Sequence, residues 1–215
     1  MRILIFVIIS FFVLPTTNAQ ESANDLMQRV KNNFVNQDQM AFDFNLTVKI
    51  PEQKDISLNG SIIRSGSKFS ASLGERWIKT DGNTQWVYDP DLGEVQIYDA
   101  SEENALPLSP EEILKVYNSD DFAFEIRDEM PAEDDQLYLI EFKPRDKSSQ
   151  VVKASMKVYK SSAIPTVMKV SERDGMQYEL EIKNIDTKPS ISPDEFTFNS
   201  KNYPNLKTED LRVSE

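Results

Sequence analysis

Between Phe42 and Ile50 the chain keeps a strict two-residue beat. Phe42, Phe44, Leu46, Val48 and Ile50 are apolar, and Asp43, Asn45, Thr47 and Lys49 between them are polar. Only an extended chain sends those two sets to opposite sides, so this stretch is a strand with one dry and one wet face. The beat then repeats. Ile56, Leu58, Gly60, Ile62 and Arg64 share one parity, Phe69, Ala71 and Leu73 form the next alternation, and residues 78–80, 85–88 and 94–98 continue it. Asp81-Gly82 and Asp91-Leu92-Gly93 carry turn chemistry at hairpin spacing. Consecutive hairpins imply an antiparallel sheet with one greasy side, and Gly60 inside a strand points to a bend or a close backbone approach.

The segments around this meander obey a different period. Ser22 with Asp25 three residues on has the form of a helix start, and Ala23, Leu26, Met27, Val30 and Phe34 then fall on one helical face. A second helix is predicted from Ser109 as cap, Pro110 in the first turn and Glu111-Glu112 at the positive end of the dipole, with Ile113, Leu114 and Tyr117 as its apolar side. Strands resume at 122–126, 137–142, 153–160, 167–172 and 178–185, with a short one expected at Phe196-Thr197-Phe198. The reading is ten or eleven strands with helices in two places, and then a polar tail, residues 199–215, anchored only at Tyr203 and Leu206.

Residues 1–19 combine Met1-Arg2, the apolar run Ile3 to Leu14, and Thr17-Asn18-Ala19, the three regions of a secretory signal peptide with cleavage expected after Ala19. The apolar run is about twelve residues, short of the roughly 20 that a membrane-spanning helix needs. The expected mature protein is a soluble periplasmic one. Arg2 leaves with the signal, so 23 basic and 36 acidic residues remain, for a net charge of −13. That argues against nucleic acid as a ligand. The chain has no histidine and no cysteine, which removes the commonest general base, the best zinc ligands and the thiol nucleophile. Glu102-Glu103, Asp120-Asp121 and Asp134-Asp135 lack calcium-loop spacing and read as solvated connections. Neither metal nor cofactor is expected, and a binding protein fits better than an enzyme.

The order of these features resembles the periplasmic outer-membrane lipoprotein carrier family, LolA. The resemblance rests on the amphipathic first helix, the Phe-rich first strand, Gly60-Ser-Ile-Ile-Arg64, Lys68-Phe69, and Asp81-Gly82-Asn83-Thr84-Gln85-Trp86-Val87-Tyr88. It also takes in Glu94-Val95-Gln96-Ile97, the Ser109 to Leu114 helix and Pro193-Asp194-Glu195-Phe196-Thr197-Phe198. It spans residues 20–198. What it implies is an incomplete, half-open antiparallel β-barrel of about 10–11 strands whose concave apolar face is covered by helices. It further implies a monomeric carrier that takes lipoproteins by their acyl chains from an inner-membrane ABC-type release complex to an outer-membrane acceptor, or to that membrane itself.

On that reading Phe42, Phe44, Leu46, Val48, Leu58, Ile62, Phe69, Leu73 and Trp86 line the acyl-chain cavity, although each alone could be ordinary core. Leu26, Met27, Val30, Phe34, Ile113, Leu114 and Tyr117 form the underside of the lid. The family commonly carries an arginine, followed by proline, four residues ahead of a phenylalanine, and that arginine hydrogen-bonds the covering helices. Here the count back from Phe69 gives Ser65 and then Gly66, while Arg64 has the concave-face parity counted from Gly60. Arg64 is the candidate gating arginine, with a surface arginine at a strand end as the competing reading. A half-barrel sensor of lipids or lipoproteins, or a glycolipid-binding module, regulating a membrane partner is the alternative function.

Overall fold

The computed structural model describes residues 22–100, 120–133 and 135–212; the expected signal peptide and the predicted Ser109 helix, with Ile113, Leu114 and Tyr117, lie outside them. One helix, α1 (Ala23–Val30), opens the chain. The Ser22 hydroxyl accepts from the Asp25 backbone N–H at 3.1 Å, which satisfies one of the donors that a helix start leaves orphaned. A π-helical turn, Lys31–Val35, extends the rod and keeps Phe34 buried in line with Leu26, Met27 and Val30.

Eleven strands follow, antiparallel in two runs, β1 to β6 and β7 to β11: β1 (Gln39–Lys49), β2 (Ile56–Ser65), β3 (Lys68–Leu73), β4 (Arg76–Thr80), β5 (Thr84–Asp89), β6 (Glu94–Asp99), β7 (Phe122–Pro131), β8 (Gln136–Pro144), β9 (Val151–Tyr159), β10 (Pro165–Glu172) and β11 (Gln177–Asp186). With β12 (Lys207–Asp210) they make one sheet in the order β12-β6-β5-β4-β3-β2-β1-β11-β10-β9-β8-β7. β1 pairs with β2 on one side and β11 on the other, so it joins the two halves. Among the described residues β12 and β7 stand at the two edges, and the sheet stays open, as the half-open barrel predicted from the sequence requires.

Cross-strand partners share a face, and the register defines which face is dry. Leu46 stands opposite Leu180, then Met168, Met156 and Ile140 in turn; Val48 leads through Tyr178, Val170 and Ala154 to Phe142. All of these are buried, and α1 with Phe34 packs into the same core. This is the inner face. The outer face of the same half carries ion pairs such as Lys153–Glu141 (2.7 Å) and Lys169–Glu179 (2.9 Å).

One expectation for the C-terminus needs correction: Phe196-Thr197-Phe198 is turn and irregular chain, not strand, and the segment from Phe198 onward is held against the sheet. Its aromatic rings settle on the outer face of the other half: Phe198 stacks on Tyr203 at 5.4 Å and lies 5.7 Å from Trp77, which itself stacks on Tyr88 at 5.6 Å. Beyond them β12 pairs in parallel with β6. All four β12 side chains are exposed, so its pairing with β6 rests on the main chain, and no apolar alternation announced it. Among the described residues no helix is long and apolar enough to cross a membrane.

Candidate functional site

The inner face continues from β1 across β2 to β5 in three rows. The middle row runs Phe42, Ile62, Ala71, Ile78, Val87, and one flanking row runs Phe44, Gly60, Leu73. The other flanking row is mixed: Met40, Arg64, Phe69, Thr80, Gln85 and Tyr98.

Phe44 owes its place to Gly60. A Cβ on residue 60 would overlap the Phe44 Cζ and the Ser72 carbonyl oxygen and stand 2.7 Å from Phe44 Cε2. The phenyl ring therefore lies over the backbone of its cross-strand partner, which is the close approach that glycine permits. A two-residue hairpin then closes β2 onto β3, with Ser65 opposite Lys68 and Gly66 at φ 60°. Glycine at the first central position is what such a turn demands. It makes Phe69 the partner of Arg64, so the extra residue in the arginine-to-phenylalanine spacing is absorbed at the turn.

From there Arg64 reaches the helical rod. Its Nη2 donates to the carbonyl oxygens of Phe34 and Val35, each at 2.6 Å. These belong to the last turn of the rod, where carbonyls have no helical partner and the dipole is negative, so a guanidinium is well matched. The opposite flank of the rod is tied to the β9–β10 turn. Arg29 Nη2 donates to the carbonyls of Lys160 (2.8 Å) and Ser161 (2.6 Å), and Asn33 donates to that of Ser162 (2.8 Å). The rod is clamped to one half of the sheet by two side chains and to the other by Arg64.

The Asp81-Gly82-Asn83-Thr84 motif sets the next register. Asp81 Oδ1 accepts from the backbone N–H groups of Asn83 (2.9 Å) and Thr84 (2.8 Å), and Thr80 Oγ1 accepts from Gly82 N–H (3.1 Å). Burial pushes the Asp81 carboxyl up, but the Thr84 and Asn83 N–H groups and the Lys68 charge outweigh it and hold the pKa below the usual value. The hairpin so fixed puts Thr80 opposite Gln85 and Ile78 opposite Val87.

Of the predicted lining, Phe42, Phe44, Leu46, Val48 and Ile62 are buried in the core shared with Leu26, Met27, Val30 and Phe34. Phe69 and Leu73 are half-buried and pack at its margin. Leu58 is half-buried opposite Leu46. Trp86 needs correction. It stands opposite Lys79 and Ile97 on the outer face, because residues 85 and 87, not 86, continue the inner rows. Sequence reasoning missed Met40, Ala71, Ile78, Thr80, Gln85 and Val87. Carrying the parity of Ile62 through Ala71 and around the Asp81 turn would have found the last four.

A half-open antiparallel sheet with a helix clamped to its apolar face defines an unclosed relative of the β-barrel, a class set apart from closed barrels. The sequence profile described as outer membrane lipoprotein carrier protein LolA matches residues 74–199, and the chain belongs to that family. An uncharacterized conserved protein from Thermus thermophilus shares the fold at 10% identity, with 87% of this chain and 98% of that one covered and a TM-score of 0.55. A LolA superfamily protein from Nitrosomonas europaea aligns at 12% identity over 83% of this chain and 99% of its own, TM-score 0.46. The Mycobacterium tuberculosis lipoprotein LppX aligns at 7% over 80% and 100%, TM-score 0.42. No curated protein matches the chain.

Proposed function

We propose that this protein is a periplasmic carrier that shields the acyl chains of lipoproteins and moves them from the inner to the outer membrane without bond chemistry of its own. The observation that carries the reading is the clamp. An apolar wall meets a helical rod, and one arginine on that wall holds the rod's end by two carbonyls. Releasing those two bonds frees the rod from the β2–β6 half while Arg29 and Asn33 keep it on the other half, which supports Arg64 as the gating residue. The side chains under α1 are buried among one another, whereas Leu58, Phe69 and Leu73 are only half-buried, which supports the β2–β5 side as the place for the guest.

The energetics call for such a shield. Each methylene is worth about 0.8 kcal/mol, so a single sixteen-carbon chain costs about 12 kcal/mol to leave in water. The source is an ABC-type release complex in the inner membrane and the destination an acceptor in the outer membrane, or that membrane itself; the carrier acts as a monomer.

Native mass spectrometry of the protein taken from periplasm tests the reading. A co-purified lipoprotein supports it. A bound glycolipid would move the cargo to the alternative class, and a protein that neither carries nor takes up any lipid refutes it.

A further inference from the structure

Gln85 stands out on the inner face. It is 7% exposed, and its amide nitrogen is buried without a hydrogen-bond partner among the described residues. The register turns it to the same side as Arg64, Phe69 and Thr80, one strand step of about 7 Å from the apolar row of Ile78 and Val87. A polar group hidden in an apolar wall with its donor unused is a standing cost. Leucine or methionine would fill the place without that cost. Thr80, its cross-strand neighbour, is also buried, but its hydroxyl oxygen is engaged by the Gly82 N–H. Of that pair, Gln85 thus carries the polar atom with no partner at all, its Nε2.

Resting on the carrier reading above, we infer that Gln85 is a specificity residue that donates a hydrogen bond to an acyl carbonyl of the bound lipid. A hydrocarbon chain lying along the strand direction crosses the Leu73 row and then the Ile78–Val87 row and ends at the mixed row, and the first polar atom of an acyl chain is its ester or amide carbonyl oxygen. That oxygen accepts and cannot donate, so it suits a lone amide N–H. The carbonyl is common to acylated proteins and phospholipids, and the chemistry Gln85 reads is the same in both.

The test is competition against a fluorescent fatty acid by three ligands of equal chain length: a synthetic diacylated lipopeptide, its dialkyl-ether analogue, and a diacyl phospholipid. The wild type is expected to prefer the diacyl lipopeptide over the ether by about five- to tenfold, the factor that one hydrogen bond yields. Gln85→Met, which keeps the length and deletes the donor, should bring the ester down to the ether's affinity, and Gln85→Leu should do the same. A phospholipid that competes as well as the lipopeptide assigns the carbonyl to lipids in general; a weaker one assigns it to acylated protein. Equal wild-type affinity for ester and ether overturns the inference while leaving carriage intact, as does a preference that survives both substitutions. Binding of none of the three overturns carriage itself and the inference with it.

Discussion

Replacing Gly60 with alanine should be among the most damaging single-methyl additions available to this protein. In a strand interior the change ordinarily helps, by about 0.5–1 kcal/mol, because glycine surrenders more backbone freedom on folding. Here the new methyl has nowhere to go. It would coincide with the Phe44 ring edge and the Ser72 carbonyl. Phe44 is 2% exposed and lies 6.3 Å from the Phe42 ring, which lies 5.5 Å from Phe34, so pushing it aside disturbs the seating of the rod. Overpacking of this kind costs about 1–3 kcal/mol, and a clash with both ring and backbone belongs at the upper end. The net loss is about 2 kcal/mol, or about 1 M in the urea midpoint at a slope of about 2 kcal/mol/M. Equilibrium urea unfolding by circular dichroism reads it directly. Phe44→Leu in the same background removes the ring atoms that collide, so the pair should show a coupling of more than about 1 kcal/mol in a double-mutant cycle. A Gly60→Ala protein as stable as the wild type, at unchanged slope, would refute the reasoning.

Arg64→Met should cost about 2–3 kcal/mol through loss of two charge-assisted bonds, and amide exchange should accelerate at residues 31–36 more than at Ala23–Val30; uniform acceleration along the rod would contradict the clamp. Gln85→Met should raise the melting temperature of the lipid-free protein, because it deletes a buried unsatisfied donor worth about 1–3 kcal/mol; a lower melting temperature would count against that assignment. Burial, and then the Asp174 charge, raise the Glu172 carboxyl above its ordinary value. Such a group favours the fold below its unfolded pKa and loses that contribution as pH rises through its folded one. Glu172→Gln should therefore gain on the wild type in urea midpoint between pH 4 and 7, and parity across that window would disprove the shift. Tyr203→Ala should loosen the outer-face stack, and in a Trp86→Phe background the Trp77 emission should move to the red; an unmoved spectrum would show that the stack does not depend on Tyr203.

The strands of the first half were legible because each carries its own alternation and its turns carry their own chemistry; Asp81 and Gly82 mark a hairpin that the hydrogen bonds of Asp81 then explain. Arg64 was placed on the correct side by counting from Gly60, since parity survives along a strand whatever the turn beyond it does. Trp86 was lost for the complementary reason. β5 is apolar on both sides, with Val87 buried on one and Tyr88 stacked on Trp77, which the C-terminal rings cover, on the other, so hydrophobicity along it does not name the inner side and only the register across the turn does. β12 was invisible because Lys207, Thr208, Glu209 and Asp210 contribute main chain alone to the pairing. Gln85 is polar, so apolar alternation gave no sign of its burial, which shows only in the folded sheet beside Thr80 and Tyr98.

Both indoles, Trp77 and Trp86, face away from the helical rod. Intrinsic fluorescence of this molecule is therefore a gauge of how its C-terminal segment is seated, and a guest arriving on the other side of the sheet leaves it nearly silent. An environment-sensitive dye carried on a cysteine at Ala71 would supply the missing channel, and the two colours together would time cargo entry against tail movement in a single sample.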